Sequence, residues 1–127
     1  MSPEKFEHYK LNHEVIDLQH LLIFEKVEKI VSKIKNTQCI KADIFELLDM
    51  VEKHLDTENY IMNEAKYPFI NFHLLDHAKL VLAVYKLKTY TMTESTIDDL
   101  YSIARIFETH IIDYDLSTIT WINEHSK

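Results

Sequence analysis

The chain contains no glycine, and this absence limits its possible folds more than any other feature of the sequence. Turn-rich β folds and the loops that cradle nucleotide phosphates depend on glycine, because they need positive φ angles or close backbone approach. Nucleotide binding through such loops is therefore excluded. Only Pro3 and Pro68 interrupt a sequence rich in leucine, isoleucine, glutamate and lysine, so the composition predicts an all-α protein.

Length and charge limit the class of protein further. The 127 residues suffice for one hydrophobic core, so we expect a single domain spanning residues 1–127. A formal net charge of -7 argues against nucleic acid and against an anionic membrane as partners. Cys39 is the one cysteine and has no internal disulfide partner, and the sequence has neither a signal core nor a membrane-length apolar run. These features predict a soluble cytoplasmic protein.

Apolar residues recur at alternating steps of three and four through four segments, a spacing typical of helices that pack in a bundle. The predicted helices cover roughly residues 14–35, 41–64, 70–89 and 97–112. Polar stretches and Pro68 separate them. Short connections of this kind favour an up-down-up-down antiparallel four-helix bundle.

The ends of the predicted bundle are less regular than its helices. We expect the residues before about 13 to form an N-terminal arm, and those after Asp115 to form a short tail whose apolar side chains cover one end of the bundle. Ser95 or Thr96, each followed three residues later by an aspartate, gives a capping-box pattern for the start of the fourth helix.

Six polar residues occupy seam positions that otherwise hold isoleucine, leucine, valine or phenylalanine. They are His20, His54, Glu58, His73, His77 and His110. Burying an isolated polar group costs about 1–3 kcal/mol, so six would consume a typical folding stability of about 5–15 kcal/mol. A hydrogen-bonded core network is one possible compensation, but five imidazoles and one carboxylate offer too few acceptors for it. Metal ions satisfy the ring nitrogens directly, which favours these residues as metal ligands.

Six ligands without a cysteine do not suit one tetrahedral zinc ion, so the sequence indicates two metal ions. Imidazole with carboxylate suits iron, and less well zinc, copper or manganese, and a carboxylate can bridge two ions. Asp115 is a candidate second bridge, although a position five residues after His110 lies about 140° away from it around a regular helix. We therefore predict a loosened or ending turn after His110, which an undisturbed helix with Asp115 in solvent would contradict.

Four motifs together resemble the hemerythrin family, specifically the bacterial single-domain hemerythrins. They are IDLQH ending at His20, HLDTE from His54 to Glu58, HLLDH from His73 to His77, and HIIDYD from His110 to Asp115. The resemblance implies two iron ions (Fe2+/Fe3+) joined by an oxo or hydroxo bridge and by both carboxylates. It assigns His20 and His54 to one iron and the other three motif histidines to the second.

By this resemblance, the protein binds dioxygen reversibly at an open position on the iron held by His20 and His54, and it is not an enzyme. Carriage, storage, delivery and sensing are all compatible roles. Reversibility needs a dry pocket, and residues within about a turn of the ligands are candidates for its wall. They are Phe24, Met50, Ile61, Leu80, Phe107 and Ile111. An ordinary core position suits each of them equally well.

Several alternatives stay open at this point. The same pair of irons in an enzyme would reduce peroxide or activate oxygen, and a sensor would signal through an unidentified protein partner. Asp17, Gln19 and Tyr114 lie close to ligands in the sequence. Each of them either orients a ligand through a hydrogen bond or simply faces solvent.

Overall fold

The computed structural model describes residues 10–87 and 94–125 of the chain. In these residues the helices are α1 (Glu14–Lys35), α2 (Lys41–Glu64), α3 (Ile70–Lys86) and α4 (Glu94–His110), followed by α5 (Leu116–His125). A π-helical turn, Ile111–Asp115, joins α4 to α5 without a break. The predicted all-α class is confirmed, and the described residues contain no helix long and apolar enough to cross a membrane.

The helices pack in a closed ring, in which α1 contacts α2, α2 contacts α3, α3 contacts α4, and α4 returns to α1. Neighbouring helices run in opposite directions. On α1 and α2, for example, Gln19 pairs with His54 while Lys26 pairs with Asp43, so the residue number rises on one helix as it falls on the other. The same reversal relates α2 to α3 and α3 to α4. The predicted up-down-up-down bundle is confirmed.

The alternating seam forms the interior of the bundle. On α1, Ile16, Ile23, Val27 and Ile30 are all buried. Full burial of one such side chain contributes about 1.5–3 kcal/mol of hydrophobic free energy. The polar seam residues share this interior, because they continue the same periodicity.

Some predicted boundaries are wrong. The fourth helix includes Glu94, so Ser95 and Thr96 lie inside its first turn instead of before it. Residues 116–125 form α5 and not a tail, because no proline or glycine follows Asp115 and a buried isoleucine pair, Ile119 and Ile122, anchors this helix to the core. Residues 88 and 89 of the third predicted helix, and most of the predicted arm, lie outside the described residues.

Without glycine, other residues take the left-handed conformation that ends a helix. Thr37 after α1 and Lys66 after α2 both have φ of 55°. Each sits in a Schellman motif: Gln38 N–H bonds to the Lys33 carbonyl at 2.8 Å, and Tyr67 N–H bonds to the Met62 carbonyl at 3.0 Å. The two connections reverse the chain tightly, at the cost of backbone strain at a β-branched threonine and a lysine.

Replacing Thr37 with glycine should raise the free energy of unfolding by about 1 kcal/mol, because glycine adopts positive φ without the Cβ clash that threonine suffers. Chemical denaturation measures this change. A glycine at Lys35, which is the last residue of α1, serves as the control. It should instead destabilise the protein by about 0.5–1 kcal/mol. Equal effects at the two positions would contradict the strain at Thr37.

Candidate metal centre

The seven predicted metal ligands meet in one cluster inside the bundle. α1 supplies one of them, α2 two, α3 two, α4 one and the π-helical turn one. They are His20, His54, Glu58, His73, His77, His110 and Asp115, and none is more than 5% exposed. Polar groups buried to this degree must satisfy one another or hold an ion.

The ligand atoms form two overlapping groups, and within each group they all lie within 4.8 Å of one another. One group consists of three histidines, from α3 and α4, together with Glu58 and Asp115. The other consists of His20 and His54 with the same two carboxylates. Because both carboxylates belong to both groups, the cluster has the donor set for two adjacent ions that share two bridges.

Asp115 connects the two groups through its two different oxygens. Its Oδ1 lies 2.9 Å from Nε2 of His73 and 2.9 Å from Nε2 of His110. Its Oδ2 lies 3.1 Å from Nε2 of His20, which belongs to the other group. One carboxylate therefore faces the histidines of both groups with one oxygen each.

Glu58 lies between the same groups. Its Oε1 is 3.0 Å from Nε2 of His54 and 3.3 Å from Nε2 of His77, which belong to different groups. Its Oε2 is 3.6 Å from Nε2 of His73. Glu58 and Asp115 thus both lie where a carboxylate could bridge two metal ions.

Several of these short approaches are not hydrogen bonds. Both oxygens of Asp115, Oε1 of Glu58 and both ring nitrogens of His77 are buried without a hydrogen-bond partner. Donors about 2.1 Å from one ion and at right angles to each other lie about 3 Å apart, which matches the observed nitrogen to oxygen distances. The residues therefore fit a pair of metal ions, because an ion would satisfy these lone pairs and a hydrogen-bonded network does not.

The π-helical turn is what brings Asp115 into the cluster. An α-helix would place it about 140° away from His110, whereas hydrogen bonds from i to i+5 widen the turn and bring residue i+5 closer to the face of residue i. The Leu116 N–H makes such a bond to the Ile111 carbonyl, and Asp115 is 0% exposed. The loosened turn after His110 that the sequence predicts is confirmed.

Hydrogen bonds at the outer ring nitrogens orient the imidazoles. Nδ1 of His54 donates to Oε1 of Gln19 at 2.7 Å, and Nδ1 of His110 donates to Oδ2 of Asp76 at 2.5 Å. A donating Nδ1 leaves Nε2, which points into the cluster, as the ring atom that a metal ion would bind. Both imidazoles are therefore held in the orientation that a metal ion requires.

Sequence reasoning identified only part of this supporting layer. Gln19 orients the His54 ring, but Asp17 accepts bonds from the amides of Leu11 and His13 and contributes to the start of α1 instead. Asp76 was missed, although its place one turn after His73 was a usable signal.

Two further residues support the rings on the three-histidine side. Thr118 was also missed; its Oγ1 hydrogen-bonds with Nδ1 of His73 at 2.8 Å. Tyr114 packs against the cluster, because its ring stacks on that of His110 with centroids 5.7 Å apart.

Curated bacteriohemerythrins are similar to this chain in sequence. Three curated relatives, the bacteriohemerythrins of Campylobacter jejuni subsp. jejuni serotypes O:6, O:2 and O:23/36, are each 32% identical to the chain over 77 residues. Over this segment the chain is similar to bacteriohemerythrins. The matched segment covers 58% of the chain and 58% of each relative, little more than half of either. No family model matches the chain, and no solved structure matches it significantly.

The cluster has an aromatic wall on its two-histidine side. The Phe107 ring lies 5.4 Å from that of His20 and 5.6 Å from that of His54, and Phe24 packs edge-on against Phe107. Of the other residues predicted to line an oxygen pocket, Leu80 and Ile111 are buried in the core, whereas Met50 and Ile61 are partly buried and pack against it. Their role in an oxygen pocket stays a prediction.

Burial and mutual contacts change the proton affinities of the ligands. Burial lowers the pKa of His20 and of His77, so both rings stay neutral in the folded protein. Burial also disfavours the charged forms of His110 and Glu58, but the effect of the neighbouring charged side chains is larger. The nearby carboxylates of Asp115 and Glu58 raise the pKa of His110 to about 11, while His54 and the other neighbours hold the pKa of Glu58 well below its usual range.

These shifts predict how metal binding depends on pH. Because His110 keeps its proton up to about pH 11 in the metal-free protein, an incoming ion must displace that proton. His20 and His77 are already neutral, so neither releases a proton when the ion binds. Between pH 6.5 and 8, the affinity for ferrous iron or zinc should therefore rise about tenfold per pH unit. Competition with a coloured chelator at several pH values measures this slope, and an affinity independent of pH would contradict the protonated state of His110.

Proposed function

We propose that this hemerythrin-like protein binds dioxygen reversibly at a non-haem di-iron centre, for carriage, storage, delivery or sensing, and that it is not an enzyme. In this proposal the three-histidine group binds one iron and His20 with His54 binds the other. Glu58 and Asp115 bridge them, beside an oxo or hydroxo group. The names of the bacteriohemerythrin relatives support the proposal.

The observation that carries the proposal is the placement of Asp115, which offers one oxygen to each histidine group. Five protein residues surround one of the two positions, and four surround the other. With a shared oxo or hydroxo bridge, the first position would have about six donors and the second about five. The position with fewer donors, next to His20 and His54, is thus the one with room for a small gas molecule.

The side chains around the cluster suit reversible binding. Two ferrous ions held by these residues would supply the two electrons that reversible dioxygen binding needs. Phe107 and Phe24 exclude water from the side of His20 and His54, which protects the centre from irreversible oxidation. Gln19 and Asp76 hold the ligand rings in place, so that the donors keep their positions as the charge of the centre changes.

Optical spectroscopy tests this function directly. The iron-loaded protein is reduced without oxygen, exposed to air and then returned to vacuum. A charge-transfer band that appears with dioxygen and disappears on its removal is the expected result. A band that forms once and decays to the ferric state during turnover of peroxide would favour the enzymatic alternative. A colourless protein that carries only zinc would contradict both.

Replacing His77 with alanine should remove about one of the two irons per chain, because this histidine is a ligand of one position only. His125 offers a matched control, since it is an exposed histidine that bonds to the Trp121 carbonyl and stacks on the indole ring. The His125→Ala variant should keep both irons. Iron and protein concentrations measured on the same samples decide the outcome, and an unchanged iron content in His77→Ala would contradict the assignment.

A further inference from the structure

An open cleft of about 400 Å³ lies beside the metal cluster, between the connection from α2 to α3, the π-helical turn and α5. Five aromatic side chains line it, and we call it the aromatic cleft. They are Tyr67, Phe69, Phe72, Tyr114 and Trp121. Phe69 and Phe72 are 56% and 66% exposed, so their rings are open to a bound molecule.

His73 connects the aromatic cleft to the cluster. This imidazole is only 1% exposed, yet it contributes to the lining of the cleft. Its Nδ1 bonds to Thr118, a second lining residue, while its Nε2 lies 2.9 Å from Oδ1 of Asp115. A molecule in the cleft would therefore be separated from the proposed di-iron centre by one imidazole ring.

The lining of the aromatic cleft determines which molecules suit it. Aromatic walls favour a flat ring system, and the volume lies within the usual range of about 300–1,000 Å³ for small-molecule sites. None of the described lining residues is a lysine or arginine, and Asp113 lies among them, so a phosphate-bearing carrier such as a flavin nucleotide is disfavoured. The Tyr114 hydroxyl and the Trp121 indole N–H are donors that suit carbonyl oxygens.

We propose that the aromatic cleft binds an uncharged planar quinone, and that the corresponding hydroquinone reduces the di-iron centre through His73. The redox part rests on the proposed function. One hydroquinone gives up two electrons and releases two protons to solvent, which leaves the quinone and converts two ferric ions to two ferrous ions. The cleft adjoins the three-histidine group, whereas the proposed open position lies beside His20 and His54, so reductant and gas approach different ions.

Binding is tested with Trp121, which is the single tryptophan of the chain and lines the cleft. The probe is 2,3-dimethyl-1,4-naphthoquinone, because its substituted ring cannot add to the exposed thiol of Cys39. It is titrated into the protein as purified, whatever the metal content. We expect saturable quenching of the tryptophan fluorescence. Quenching that does not saturate would overturn the proposal.

Matched variants show whether the probe occupies the aromatic cleft. The double substitution Phe69→Ala and Phe72→Ala removes two exposed rings and should weaken binding about tenfold or more. Leu82→Ala is the control, because Leu82 is similarly exposed at 64% on α3 but does not line the cleft. It should leave the affinity within about twofold of the parent protein. Equal affinity in the double variant and the control would overturn the assignment.

The redox part has its own experiment. The ferric protein is mixed without oxygen with a subsaturating amount of the dimethylnaphthohydroquinone, and the loss of ferric absorption is followed. The double variant should slow this reduction about tenfold while Leu82→Ala does not. Equal rates would overturn electron delivery through the cleft. A protein that binds the quinone but holds no iron would overturn the proposed function and the redox part, and it would still support the quinone site.

Discussion

Replacing Asp115 with alanine should leave less than one metal ion per chain, a larger loss than removal of any single histidine. Its Oδ1 lies near His73 and His110 and its Oδ2 near His20, so this substitution takes one donor from both proposed metal positions. His77→Ala takes a donor from one position only. The ratio of metal lost in the two variants therefore distinguishes a bridging ligand from a terminal one.

Asp56 provides the control for this experiment. It lies inside the HLDTE motif between His54 and Glu58, but its side chain is exposed and belongs to neither ligand group. Asp56→Ala should keep both metal ions. Metal content is measured after dialysis at a fixed free ion concentration, with circular dichroism to confirm that each variant is helical. Full metal content in folded Asp115→Ala would show that the carboxylate is not a bridge.

Removal of the metal should lower the melting temperature by about 10–20 °C. Without ions, five imidazoles and two carboxylates remain inside the bundle, and several of their atoms have no hydrogen-bond partner. A ligand whose free concentration is about a thousand times its dissociation constant stabilises the folded state by about 4 kcal/mol. In a domain of this size, each kcal/mol corresponds to several degrees.

Calorimetry of the metal-loaded and chelator-treated protein measures this difference. Adding back ferrous iron under anaerobic conditions should restore the higher melting temperature. The Asp115→Ala variant should respond much less to the chelator, because it holds little metal to lose. Identical melting temperatures with and without metal in the parent protein would contradict a centre built into the core.

The helices of the bundle and the polar residues in its interior could be predicted from the sequence, because both follow from spacing along one helix. Apolar residues such as Ile16, Ile23 and Val27 repeat at the helical period, which identifies the buried face of a helix without any knowledge of its neighbours. His54 and Glu58 continue that period, which predicts that both side chains are buried. Buried polar side chains need a partner or a metal ion to offset their loss of hydration. Even the π-helical turn was predictable, because Asp115 could not reach the cluster from a regular helix.

Spacing along one helix is enough to predict which faces are buried and which polar residues enter the interior. The hydrogen-bond partners of those residues depend on how the helices pack. Gln19 and His54 are 35 residues apart, and Thr118 and His73 are 45 apart, with no periodic signal that links them. Thr118 reaches His73 only because residues 116–125 continue as a helix after the π-helical turn. The same packing creates the aromatic cleft, since contacts between distant segments depend on how helices meet and not on the period within each one.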